Sequence, residues 1–231
     1  AGVAVSGIYA IAGKIPSIIT AFQSVFSQAW SISAIKEFDK DDSDGFVGKM
    51  YTMFGFGMIA IASLTIILNI PFAKLLYSNE FYEAWKFVPP LVVAGALNAL
   101  ALFTGSIFMA IKDTKSRMIS TLLGVNTILN FILIRFWGAY GAATATLIGF
   151  FVSYIYQEIR IRKHIAIKMN HIRAYLSVGL LLTQMSIAIF ANKFIYIQII
   201  IFVGILIMHL GECRKIFLSL IGKLKRKEQV E

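Results

Sequence analysis

After Pro16 the small polar residues Ser17, Thr20, Ser24, Ser27, Gln28 and Ser31 recur at three- and four-residue spacing. On an α-helix that spacing gathers them into one stripe. Hydroxyls and an amide so arranged can hydrogen-bond a hydroxyl-rich ligand or a neighbouring helix. Lys14 stands just before the stripe and supplies a cation. Pro16 lacks a backbone N–H and cannot continue a preceding helix without a kink, yet it suits the first turn of a new one. A helix starting there is expected to present free N–H groups and a positive dipole end, the arrangement that discontinuous transporter helices use for anions. Asn98, Asn126 and Asn130 add amides inside other apolar stretches. At membrane depth such groups face protein or a water-filled cavity, as interhelical glue or as lining.

Other clusters point to no chemistry. The stretch "KEFDKDDSDGFVGKM" holds five of the twelve acids, Glu37, Asp39, Asp41, Asp42 and Asp44. A calcium loop begun at Asp39 would place Asp44 where Gly is required and Met50 where the bidentate Glu belongs, so the stretch reads as a solvated turn ending at Gly45. His164 and His171 flank Lys168 at no ligand spacing, and His209 stands alone. No metal, cofactor, nucleophile elbow or phosphate-binding glycine loop follows. Cys213, the single cysteine, permits no internal disulfide. No Asp or Glu falls in the core of an apolar stretch, Glu158 and Glu212 lying just past ends, which favours an anionic or neutral substrate over a cation.

The elements that must position these residues are membrane helices. The 231 residues are 58% hydrophobic and 15% charged, with mean hydropathy +0.76, whereas a soluble domain is about a quarter charged. A transmembrane helix needs about 17 to 25 apolar residues. Seven such stretches are present: Ile8–Ala34, Met53–Ile70, Val88–Ile111, Met118–Ile134, Phe136–Gln157, Ala174–Asn192 and Phe194–Gly211. The expected fold is all-α, a polytopic bundle of about seven spans over residues 1–211, followed by a basic tail over residues 212–231. Gly141, Ala145 and Gly149, spaced by four, form a strip along which another helix can approach closely.

Assigning alternate loops to opposite sides puts 17 basic residues on one face, among them Lys49, Arg160, Arg162, Lys163 and Arg173. Lys74, Lys86, Arg135 and Lys193 fall on the other. By the positive-inside rule the first face, with the C-terminus, is cytoplasmic. The net charge of +10 is thereby explained without nucleic acid, and the tail "GKLKRKEQVE" can attract anionic membrane lipid. An odd number of spans then starts the chain outside on the apolar "AGVAV", which leads to the expectation of a longer protein.

The stretches "GIYAIAGKIPSIITAFQSVFSQAWSISAIKEFD", "NIPFAKLLYSNEFYEAWKFVPPLVVAG" and "VNTILNFILIRFWGAYGAATATLIGF" resemble the C-terminal half of bacterial polysaccharide-biosynthesis membrane proteins, the Wzx-type flippases of the MOP superfamily. The likeness runs from about Gly7 to Lys163; Arg135 departs from it, standing where the family pattern has Pro. The resemblance implies one of two helical lobes around a central cavity, which moves a lipid-linked oligosaccharide on a polyprenyl pyrophosphate carrier across the bacterial cytoplasmic membrane. The missing N-terminal lobe becomes a partner. Lys14, Ser17, Thr20, Ser24, Gln28, Asn98, Asn126 and Asn130 are the substrate-facing candidates.

Two other classes stay open. A small-molecule antiporter of the related multidrug type requires acidic residues in the absent lobe, and a membrane glycan polymerase or ligase requires a larger outer loop than Pro71–Phe87. Depth limits the role of Lys14. The 22 residues from Lys14 to Lys36 span about 33 Å of straight helix, which matches the roughly 30 Å hydrocarbon core and puts Lys14 at the outer edge. There it snorkels or lines the mouth of a cavity.

Overall fold

Backbone hydrogen bonding decides where the first apolar stretch bends. In the computed structural model, which describes residues 3–36, 45–77, 79–110, 125–163, 169–191 and 194–228, α1 (Val3–Ala12) and α2 (Ser17–Lys36) meet at a four-residue turn around Pro16. The two axes differ by 44°. The remaining elements are α3 (Phe46–Ile67), α4 (Asn69–Leu76), a 3₁₀ segment (Asn79–Lys86), α5 (Val88–Ala110), α6 (Val125–Ile161), α7 (His171–Phe190) and α8 (Ile195–Glu228). No strand occurs among the described residues.

Among the described residues four helical segments are long and apolar enough to cross a membrane, or five if the bent α1–α2 pair counts as one crossing; Ile195–Gly211 is a shorter apolar helix. Large apolar side chains cover much of the outside, Phe131 at 85% and Phe190 at 87% exposure. That is the surface a lipid solvent accepts and water does not. Helix α3 begins seven residues before the expected Met53, directly after Gly45, whose φ of 63° suits glycine. Part of the expected outer loop Pro71–Phe87 is helical, as α4 and the 3₁₀ segment.

Helix α6 hides a reversal. Gly138 has φ 55° and ψ −129° in its middle, a conformation open only to glycine. A Cβ on Gly141 would fall on the Leu133 carbonyl, and one on Gly149 would lie 2.7 Å from the Asn126 Cβ. In a straight helix residues 126 and 149 would stand about 34 Å apart. The chain therefore folds back at Gly138 into two antiparallel arms, packed along Gly141, buried Ala145 and Gly149. The reversal comes three residues after Arg135, the break expected from charge, because the positive-φ glycine turns the chain.

Helix α5 is the axis of the bundle, with α2, α3, α6 and α7 packed around it. Its alanines and Gly95 admit close neighbours, and Val92, Val93, Leu97 and Phe108 are buried. Paired residues give the directions. Ile19 lies against Gly95 and Trp30 bonds Ser106, so α2 runs parallel to α5. Tyr51 and Gly55 face Phe103 and Leu100, so α3 runs antiparallel. Phe87 meets Tyr140 and Gly105 meets Gln157, so the second arm of α6 runs parallel. Phe26, Trp30, Phe54 and Phe103 stack with centroids 4.3 to 6.4 Å apart. Where lipid removes most of the hydrophobic driving force, such van der Waals contacts hold helices together.

Candidate functional site

The Pro16 turn corrects one expectation. Free N–H groups were expected at the start of α2, but Ser17, Ile18 and Ile19 donate theirs to the carbonyls of Gly13, Ile15 and Pro16 at 3.0 to 3.1 Å. The turn winds tightly enough for the preceding carbonyls to reach these donors. No backbone anion cradle remains on those three residues. The Ser17 hydroxyl donates to the Lys14 carbonyl at 2.5 Å, which ties those two candidates together.

Helix α2 has two faces of different chemistry. Ile15, Ile19 and Trp30 are buried against the bundle, whereas Lys14, Ser17, Thr20, Ser24 and Gln28 are exposed on the opposite side, flanked by Phe22 and Val25. Sequence periodicity set the stripe, and the bundle leaves it uncovered. The Ser24 hydroxyl donates to the Ala21 carbonyl at 2.8 Å, as Ser17 does to Lys14. Their donors are thus engaged within the helix while oxygen lone pairs still point outward to accept. The side chain of Ser31 and the whole acidic stretch 37–44 lie outside the described residues.

The constant offset of 76 in the pairs Ile19–Gly95 and Trp30–Ser106 sets Ser17, the first residue of α2, level with Val93 of α5, and Lys14 lies in the turn just before it. Lys14 is exposed and has no ion-pair partner among the described residues. Part of α1 packs on the outer segment: Tyr9 meets Phe87 at 6.2 Å between ring centroids, and Gly7 approaches Phe81 of the 3₁₀ segment.

The asparagines do not join this face. Asn98 is half-buried on α5. Asn130 donates to the carbonyl and side-chain oxygen of Asn126 at 2.9 and 2.7 Å, within the first arm of α6. Asn130 also lines a cavity of about 330 Å³ between α1 and α6, with Ser6, Tyr9 and Thr146. Of the candidates, Lys14, Ser17, Thr20, Ser24 and Gln28 therefore share the open face of α2, Asn130 lines this separate cavity, Asn126 is tied to Asn130, and Asn98 sits apart on α5.

The sequence missed a polar cluster at the other end of the bundle. Glu158 is 2% exposed and accepts a hydrogen bond from the Tyr51 hydroxyl of α3. Arg162 stands 3.8 Å from its other oxygen and bonds the Tyr175 hydroxyl of α7 at 2.6 Å. His209, which seemed isolated, approaches Ser177 at 3.5 Å and stacks on Phe56. The pairing of α5 with α6 places Glu158 level with Ser106, four residues or about 6 Å inside the last residue of α5. Among the described residues no three His, Cys, Asp or Glu side chains gather in one place; His164 lies outside them.

No protein-family model, curated protein or solved structure matches the chain.

Proposed function

We propose that the chain is one lobe of a transporter that flips lipid-linked oligosaccharide across the bacterial cytoplasmic membrane. One observation carries the reading. The hydrogen-bonding stripe of α2 is turned away from its own bundle, with a cation at its rim. A polar membrane helix face does not rest in hydrocarbon; a second lobe across a wet passage is its natural counterpart. Acceptor oxygens and the Gln28 amide along that passage suit the hydroxyls of a glycan, and Lys14 suits a pyrophosphate at the mouth. The resemblance to the polysaccharide-biosynthesis membrane proteins supplies the substrate class.

In this reading the two arms of α6 are separate crossings and Ile195–Gly211 is another, which gives seven with the bent α1–α2 pair. The end carrying Arg160, Arg162, Lys163 and Arg173 is cytoplasmic. Buried Glu158 gives an ion-coupled antiporter of the multidrug type some footing as the second reading. Glycan export separates the two. With Ser17, Thr20, Ser24 and Gln28 replaced together by leucine, the expected result is loss of surface glycan at normal membrane abundance. Unchanged export together with altered drug tolerance would favour the second reading.

A further inference from the structure

We propose that Glu158 is a proton-binding site of the membrane domain. The carboxylate is withdrawn from solvent, yet among the described residues it has only two partners, the Tyr51 hydroxyl and an arginine 3.8 Å away whose own side chain is 37% exposed. A carboxylate has room for about four hydrogen bonds. An ionised one held by so few leaves much of its desolvation uncompensated, and taking up a proton removes that cost.

The surroundings fit a site that gains and loses a proton. Tyr51 faces it from α3, Tyr154 and Arg162 from α6, and Tyr175 from α7; α5 brings Phe103 and Gly105, which do not titrate. Beside Tyr51 and Tyr154 lies a cavity of about 30 Å³ that Arg173 and His209 also line. That volume admits one water molecule, which would stand beside the two tyrosines nearest the carboxyl. The proton goes to the carboxylate oxygen, and the lost negative charge removes the ion pair that Glu158 makes with Arg162 one turn along the chain. The Arg162 bond to Tyr175 of α7 then lacks the carboxylate that helps hold the guanidinium in place, while the Tyr51 hydroxyl still donates to the carboxyl.

The test is pH-difference infrared spectroscopy of the purified, membrane-reconstituted protein between about pH 4 and about pH 9, a range covering a carboxyl in a buried setting. The expected result is a carboxylic C=O band that grows on acidification and is lost in Glu158→Gln. Spectra that superimpose for the two proteins overturn the proposal. Should Glu158→Gln fail to fold, Tyr51→Phe gives the same discrimination. Loss of its hydrogen bond shifts the frequency of the Glu158 band, and an unshifted pH-dependent band overturns the assignment.

Discussion

The Trp30 indole N–H donates to the Ser106 hydroxyl at 2.7 Å across 76 positions of sequence, and the same offset brings Ile19 onto Gly95. Two parallel helices in fixed register thus hold one side of α2 to the bundle and turn its polar side away. A double-mutant cycle of Trp30→Phe and Ser106→Ala should return a coupling of about 0.6 to 2 kcal/mol, the range of interhelical hydrogen bonds in membranes, measured by unfolding in mixed micelles. A coupling near zero would mean that the bond does not set the register.

The fold-back of α6 predicts an unequal glycine series. Gly141→Ala places a methyl on the Leu133 backbone, which cannot move away as a side-chain tip could, and should cost about 3 kcal/mol or more. A Cβ on Gly179 would meet nothing within 4 Å among the described residues, so Gly179→Ala should be neutral or stabilising by up to about 1 kcal/mol. Thermal melts of the detergent-solubilised protein rank the two directly.

Tyr77, at the end of α4, buries a hydroxyl with no hydrogen-bond partner among the described residues. Burial pushes that hydroxyl up to about 12. Above the unfolded value of about 10 the unfolded chain gives up a proton that the folded chain keeps, so stability falls as pH climbs toward the folded value. Tyr77→Phe removes both the unpaired hydroxyl and its titration. It should raise stability by about 1 kcal/mol at neutral pH and flatten the alkaline loss between about pH 10 and about pH 12, as read from melts across that range.

The proposed orientation predicts opposite labelling of cysteines placed at the two ends. In a Cys213→Ser background, Lys163→Cys should be shielded from a membrane-impermeant maleimide in intact cells, and Lys86→Cys should react. The reverse pattern would invert the bundle against the positive-inside expectation.

Much of the architecture was legible in residue type and spacing. Pro16 marks a bend because a ring without an N–H interrupts the ladder, and the stripe on α2 follows from helical period. Three features were not legible, each because it depends on a partner distant in sequence or on backbone torsion. The N–H groups after Pro16 are taken up by the preceding carbonyls, which hinges on how tightly the turn winds. Gly138 reverses α6 by virtue of its φ, where Arg135 offered the more visible polar break. Glu158 reads as a residue beyond the end of a span; its burial beneath Tyr51 of α3, level with Ser106 of α5, depends on helices distant in sequence.

The most direct measurement of the central claim is translocation itself, followed in proteoliposomes holding the full-length protein and a fluorescent oligosaccharide on a polyprenyl pyrophosphate carrier. The account predicts transfer between leaflets well above that of protein-free vesicles, with at least about a tenfold loss when Ser17, Thr20, Ser24 and Gln28 are all leucine, equivalent to about 1.4 kcal/mol in the rate-limiting barrier. Transfer no faster than in empty vesicles, or equal in the wild-type and all-leucine proteins, would contradict it.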